Sequence, residues 1–161
     1  MPNNGRDMFL PVCLNITDKP VVLIGGGRTA YHKATVLCRF TQKATVISPV
    51  FHEGFEQLPF RLVRKSYERS DLEGAFLVYI CTEQPELNVA IKADCAALGI
   101  LANVCDHPSL CDFVSPAIYK EGNVAIAVSS NATDVRQSIA LRNRIRALVE
   151  QGLLLIRSSS R

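Results

Sequence analysis

The chain has 161 residues, 48% hydrophobic and 20% charged, with 9 Gly and 8 Pro. That suits one compact domain with a small appendage, and excludes a multidomain assembly or a disordered chain. The net charge of +3 is mild but uneven: residues 1–134 carry 12 basic against 14 acidic side chains, whereas residues 135–161 carry six arginines against Glu150 alone. The longest apolar run, Ala75 to Cys81, is far short of the roughly 18 residues that cross a bilayer. The N-terminus lacks the basic region of a signal peptide. Six cysteines (Cys13, Cys38, Cys81, Cys95, Cys105 and Cys111) with no CxxC pair suggest neither a disulfide scaffold nor a metal site. They read as reduced thiols of a cytoplasmic protein.

Residues 21–25, VVLIG, form the short β-branched run expected of a strand buried on both faces. Glycines follow at positions 25, 26 and 27, then a helical pattern with Ala30, Ala34, Leu37 and Cys38 on one side. Ala44 to Ser48 reads as a second buried strand stopped by Pro49, which completes a βαβ unit. Phe60 to Arg64 and Phe76 to Thr82 continue the strands. Pro85 opens a helix that Gly99 closes, and Ile100 to Cys105 returns as a strand. After Asp106 the pattern changes. Phe113 to Tyr119 and Asn123 to Ser129 flank a Lys120–Asn123 turn as an antiparallel hairpin. A helix follows from about Thr133 to Gln151, with Leu141, Ile145, Leu148 and Val149 as its apolar stripe. Ser158 to Ser160 read as a fraying tail.

The fold class is therefore α/β. A Rossmann-like, doubly wound parallel sheet in residues 1–111 binds a dinucleotide; a hairpin and a long basic helix in residues 112–161 follow it. A hairpin with one amphipathic helix has little core of its own. This segment is expected either to pack on the sheet edge or to exchange contacts with a second copy, giving a homodimer.

Gly25-Gly26-Gly27-Arg28-Thr29-Ala30 fits G-x-G-x-x-A at a strand-to-helix junction. There Gly25 permits the tight turn, Gly27 lets a pyrophosphate approach, and Ala30 brings helix close to strand. The acidic residue expected about 20 positions on is absent, because the second strand ends Ile47-Ser48-Pro49. Ser48 could bond a ribose hydroxyl or cap a turn, and with no arginine beside it to hold a 2′-phosphate, NAD is favoured over NADP. Asp106, in Asn103-Val-Cys-Asp106-His-Pro108, is expected on the same rim, either as a general base or, like Asn103, as a cap of the strand exit. Cys105, His107 and Cys111 do not complete a metal site, since adjacent strand residues face opposite ways and a fourth ligand is lacking. Val128-Ser129-Ser130-Asn-Ala-Thr133 leads into the basic helix, where hydroxyls and backbone amides with Arg136 form a candidate anion site. The alternative there is an ordinary N-cap at Ser130 or Thr133. Nucleic acid is a poor partner, because aromatics do not interleave with the arginines; a small polycarboxylate suits them better.

The segments FLPVCLNITDKPVVLIGGGRTAYHKA, TVISPVF, LVYICTEQPELN, NVCDHPSLCDFVSPAI and VAIAVSS together resemble the precorrin-2 dehydrogenase family, which also forms the N-terminal module of siroheme synthase. The resemblance runs from about Phe9 to Leu148. It implies oxidation of precorrin-2 to sirohydrochlorin with NAD as hydride acceptor, and in some members insertion of ferrous iron. It implies Asp106 as the catalytic aspartate. Gly25 to Thr29, Ser48, Pro49 and Val50 would be cofactor contacts, with Thr82 and Asn103 on the same rim. Ser129, Ser130, Thr133 and Arg136 would lie toward the tetrapyrrole, whose carboxylates give the arginines a purpose. Where the family usually continues Ser-Ser with Gly-Gly, this chain has Asn131-Ala132. A non-catalytic tetrapyrrole- or nucleotide-binding module and a sirohydrochlorin chelatase are the competing readings.

Overall fold

The computed structural model describes residues 7–156; Arg157, Arg161 and the serine tail of the basic terminus lie outside them. The described chain divides into two compact units. One is Cys13–Phe113; the other joins the residues up to Val12 with those from Val114 on.

The first unit is a five-stranded parallel sheet. Its strands are β1 (Val21–Ile24), β2 (Ala44–Ile47), β3 (Arg61–Val63), β4 (Leu77–Ile80) and β5 (Leu101–Val104), in the order β3-β2-β1-β4-β5. Because successive side chains alternate faces, β1 feeds two cores. Val21 and Leu23 pack with Ala30, Ala34 and Leu37 of α1 (Arg28–Leu37). Val22 and Ile24 pack on the other face with Ile91 and Cys95 of α2 (Pro85–Ala97). Burying each such Val, Leu or Ile stabilises the unit by about 1.5–3 kcal/mol, which is why these runs have no polar face. Pro85 occupies the first turn of α2, and Gly99 follows its end at φ 69°, as the sequence pattern predicts. Between β3 and β4 the chain crosses β1 to the other half of the sheet. The carboxyl ends of β1 and β4 therefore flank the topological switch, where ligands bind in open α/β sheets.

In the second unit, β6 (Ala117–Glu121) and β7 (Val124–Val128) pair antiparallel with Glu121 opposite Val124. The connection is thus the two residues Gly122-Asn123, tighter than the four-residue turn expected, with Gly122 at φ 53° as such hairpins require. Helix α3 (Val135–Glu150) follows. It is tied to β6 by Arg142, whose Nη1 donates to the Ile118 carbonyl at 3.2 Å. Only Ser138 of α3 is buried; Leu141, in the expected apolar stripe, is exposed. No helix of the described residues is long and apolar enough to cross a membrane.

The expectation of six reduced thiols is corrected at two positions. Cys81 and Cys105 are joined by a disulfide, while Cys13, Cys38, Cys95 and Cys111 are free. The two cysteines are 24 residues apart, and only the register of β4 on β5 makes them neighbours.

Candidate functional site

In the α/β unit the glycine turn is shaped by the backbone around it. Gly25 adopts φ 125°, a conformation that side chains other than hydrogen rarely tolerate, and a Cβ there would collide with the Cys81 carbonyl. A Cβ on Gly26 would collide with the Val50 carbonyl and come within 2.7 Å of Ser48 Oγ. At Gly27 it would meet only the Glu83 carboxylate, at 3.1 Å. Gly25 and Gly26 are thus required by the fold, whereas Gly27 keeps the turn low beside the start of α1. No side chain caps that helix start. The α1 amides and the positive end of the helix dipole are left for an anion, as a pyrophosphate needs. Arg28 and Thr29, at the first helical positions, are exposed.

Register brings the other expected residues to this edge. Ile24, Ile80 and Val104 are aligned across β1, β4 and β5, so Gly25, Cys81 and Cys105 come next, and Gly26, Thr82 and Asp106 after them. At about 4.8 Å per strand, Asp106 lies two strands, roughly 10 Å, from the glycine turn. Asp106 is exposed and left-handed at φ 65°, and its carboxylate has no hydrogen-bond or ion-pair partner among the described residues. Carboxylates used as caps are bonded. The strand-exit cap reading therefore does not fit Asp106.

Three expected cofactor residues are engaged elsewhere. The Ser48 hydroxyl donates to the Val50 carbonyl at 2.7 Å, as a turn cap. Thr82 Oγ1 lies 2.5 Å from Asn88 Oδ1, while Asn88 Nδ2 donates to the Thr82 carbonyl at 3.1 Å, which anchors the start of α2. Asn103 is buried, and its Nδ2 donates to the Phe113 carbonyl at 2.9 Å; it clips the chain leaving β5 and presents no side chain to the rim. Pro49 and Val50 are exposed beside the glycine turn. His52 stacks on Tyr31 with its Nδ1 accepting from Gly54 N–H.

Lys33 was not singled out by sequence reasoning. It is half-buried on α1, three residues after Ala30 and four before Leu37, and it makes no ion pair or hydrogen bond among the described residues. Burial pushes its ammonium below the ordinary value near 10.5, and the negative charge of Asp106 opposes that shift. A lysine spaced among small apolar positions is the one signal that could have marked it.

The second unit carries an open cleft of about 440 Å³ lined by Ser129, Ser130, Gln137, Ser138, Leu141 and Arg144, among others. Ser129 and Ser130 line the cleft, whereas Thr133 and Arg136 do not. The cap of α3 is neither Ser130 nor Thr133 but Asp134, whose Oδ1 accepts from Gln137 N–H at 2.8 Å. Ser130 Oγ donates to the Asp134 carbonyl at 2.7 Å and Thr133 Oγ1 to the Ser130 carbonyl at 2.6 Å, so both hydroxyls shape the loop. Asn131 and Ala132 are left-handed at φ 56° and 58°. Asn131 offsets this by accepting from Phe9 N–H at 2.7 Å and donating to the Asp7 carbonyl at 2.5 Å; Ala132 has no such compensation.

Residues 12–117 match the model of a family described as NAD(P)-binding. The chain belongs to this NAD(P)-binding family. Membership agrees with a glycine turn whose first two positions have no room for side chains and whose helix start is uncapped. Among relatives, the chain is 34% identical over 146 residues to the siroheme synthase of Psychrobacter sp. (strain PRwf-1), covering 88% of this chain and 30% of that protein. It is 33% identical over 144 residues to that of Methylobacillus flagellatus, covering 87% and 31%. The siroheme synthase of Ectopseudomonas mendocina is 34% identical over 144 residues, covering 88% and 30%. The chain thus spans about three-tenths of the length of these curated relatives. Among solved structures, one named SirC, precorrin-2 dehydrogenase, shares the fold at a TM-score of 0.67 and 22% identity, covering 89% of this chain and 71% of its own.

Proposed function

We propose that this member of the NAD(P)-binding family is a precorrin-2 dehydrogenase. It oxidises precorrin-2 to sirohydrochlorin in sirohaem synthesis, in the cytoplasm and as a homodimer, with NAD as acceptor and a tetrapyrrole, rather than nucleic acid or a membrane, as partner. The observation that carries the reading is the unpartnered Asp106 carboxylate at the sheet edge where the glycine turn lies. The names of the relatives and of the structural neighbour supply the substrate.

Oxidation of this kind removes a hydride and a proton from adjacent positions of the macrocycle. Bound NAD supplies the hydride acceptor. Gly25 and Gly26 keep the backbone open at the turn, and the uncapped start of α1 binds the pyrophosphate. Asp106 accepts the proton. Its exposure and its lack of hydrogen-bond donors among the described residues leave its lone pairs available, and its negative charge acts on the Lys33 ammonium. In the second unit, Ser129, Ser130 and Arg144 line a cleft whose guanidinium suits a carboxylate. With little buried apolar area in the second unit, a second copy covers the exposed side of α3.

Purified protein incubated with enzymatically made precorrin-2 and NAD is expected to form NADH, read at its absorbance maximum. Asp106→Asn, which tolerates the left-handed backbone, should lower that rate about 10²-fold or more with NAD affinity within a few-fold. Tetrapyrrole binding without NADH formation would favour the non-catalytic module. Iron or cobalt insertion into sirohydrochlorin without NAD would favour the chelatase.

A further inference from the structure

The same strand ends carry a pair of cysteines that the proposed reaction does not use. Beyond Ile80 and Val104 the ladder runs one residue further. Cys81 N–H donates to the Ile24 carbonyl at 2.8 Å, and Cys105 N–H to the Ile80 carbonyl at 2.9 Å. Cys81 and Cys105 are therefore cross-strand neighbours with Cα atoms 5.1 Å apart, inside the span a disulfide requires. They point to the same face, both pack in the core beneath α1, and they are bonded to each other.

Three functional segments converge on this pair. The Cys81 carbonyl closes the space at Gly25. Thr82, the next residue, anchors α2 through Asn88. Cys105 is followed directly by Asp106 in its left-handed conformation. Sulfurs in a bond are about 2.05 Å apart, and two thiols must separate to ordinary contact distance. In an interior packed as densely as a crystal, that change is passed to the strand ends. In a reducing compartment, disulfides are usually transient and sense or perform redox chemistry.

We propose that Cys81 and Cys105 form a reversible thiol–disulfide couple, a modification site oxidised by small peroxides and reduced by dithiols, that tunes the dinucleotide-binding rim. One thiolate attacks hydrogen peroxide, giving a sulfenic acid and water once the proton is returned. The second thiol displaces its hydroxyl as a second water and forms the Sγ–Sγ bond. The two sulfurs together lose two electrons and two protons, and the peroxide is reduced. A small dithiol reverses the step by exchange and is itself oxidised to its cyclic disulfide. The effect on dinucleotide affinity rests on family membership alone; the effect on turnover also rests on the dehydrogenase reading.

The test uses the full chain treated with hydrogen peroxide or with dithiothreitol, alkylated, and mapped by peptide mass spectrometry, with NAD affinity measured on both forms by calorimetry. The expected result is a Cys81–Cys105 cross-link formed by peroxide, released by dithiothreitol in the folded protein, and a three-fold or larger difference in NAD dissociation constant between the forms. Cys81→Ser and Cys105→Ser should show no such difference on the same treatments. Absence of the cross-link, a cross-link that dithiothreitol does not release, or equal affinity in the two wild-type forms overturns the proposal. The wild-type comparison decides even if a variant fails to fold. If neither form oxidises precorrin-2 but their NAD affinities differ, the dehydrogenase reading fails and the redox couple stands.

Discussion

The two units have apolar residues in similar proportion but use them in opposite ways. Every buried hydrophobic residue among the described residues lies between Val21 and Cys105, in the α/β unit. The hairpin and α3 bury only Ser138, while Val135, Ile139 and Leu141 are exposed along the helix. A parallel sheet covered on both faces holds its own core, so its ligand edge can be built from strained backbone at Gly25 and Asp106. A hairpin under one helix leaves apolar groups over, and these serve association or ligand contact.

Mutations can break or sharpen this contrast, the largest effect coming from the covered unit. Gly25→Ala forces a side chain into the Cys81 carbonyl at φ 125° and is expected to cost several kcal/mol, read as loss of the cooperative urea transition. Gly122→Ala in the hairpin, left-handed but with open space around it, should cost only about 1 kcal/mol. Equal effects would show that the turn at Gly25 is not packed as described. Leu141→Asp on the exposed side of α3 should shift the proposed dimer to monomer in light scattering and leave the α/β unit's denaturant midpoint in place. A large loss of stability there would instead give the second unit a core of its own.

Lys33→Met tests whether function is held at a cost to the core. The folded-state pKa of Lys33 is depressed, so its ionisation opposes folding at neutral pH. That penalty is relieved as pH rises through the folded value toward 10.5. The variant should be at least as stable as wild type near pH 7, with the difference narrowing toward pH 10, while turnover falls if Lys33 balances Asp106. Chemical denaturation across that range measures it. The smallest effect is expected at Ala132→Gly, where glycine relieves a left-handed alanine and should add about 1 kcal/mol, seen as a rise of a few degrees in Tm.

Much of the molecule is legible one segment at a time. VVLI followed by three glycines and an alanine can only be a buried strand entering a close-packed helix, and Pro85 and Gly99 mark the two ends of α2. Asp106 could be expected at the rim because its strand ends there. Residues whose role depends on partners remote in sequence were less legible. Thr82, Asn103 and Ser48 looked like cofactor contacts, yet Asn88, Phe113 and Val50 engage them. The cap of α3 went to Asp134 because Ser130 and Thr133 spend their hydroxyls on the loop's own carbonyls.

Local hydrophobic pattern and turn chemistry thus determined the α/β class, the order of elements, the dinucleotide turn and the basic character of the terminal helix. Those properties arise from neighbours within a few residues, where periodicity and backbone preference act. Strand register and helix facing were decided only in three dimensions. They joined Cys81 to Cys105 across 24 residues, set Asp106 two strands from the glycines, and left Lys33 half-buried within reach of the Asp106 charge. Register depends on how whole faces pack against one another, which no single segment of the chain specifies.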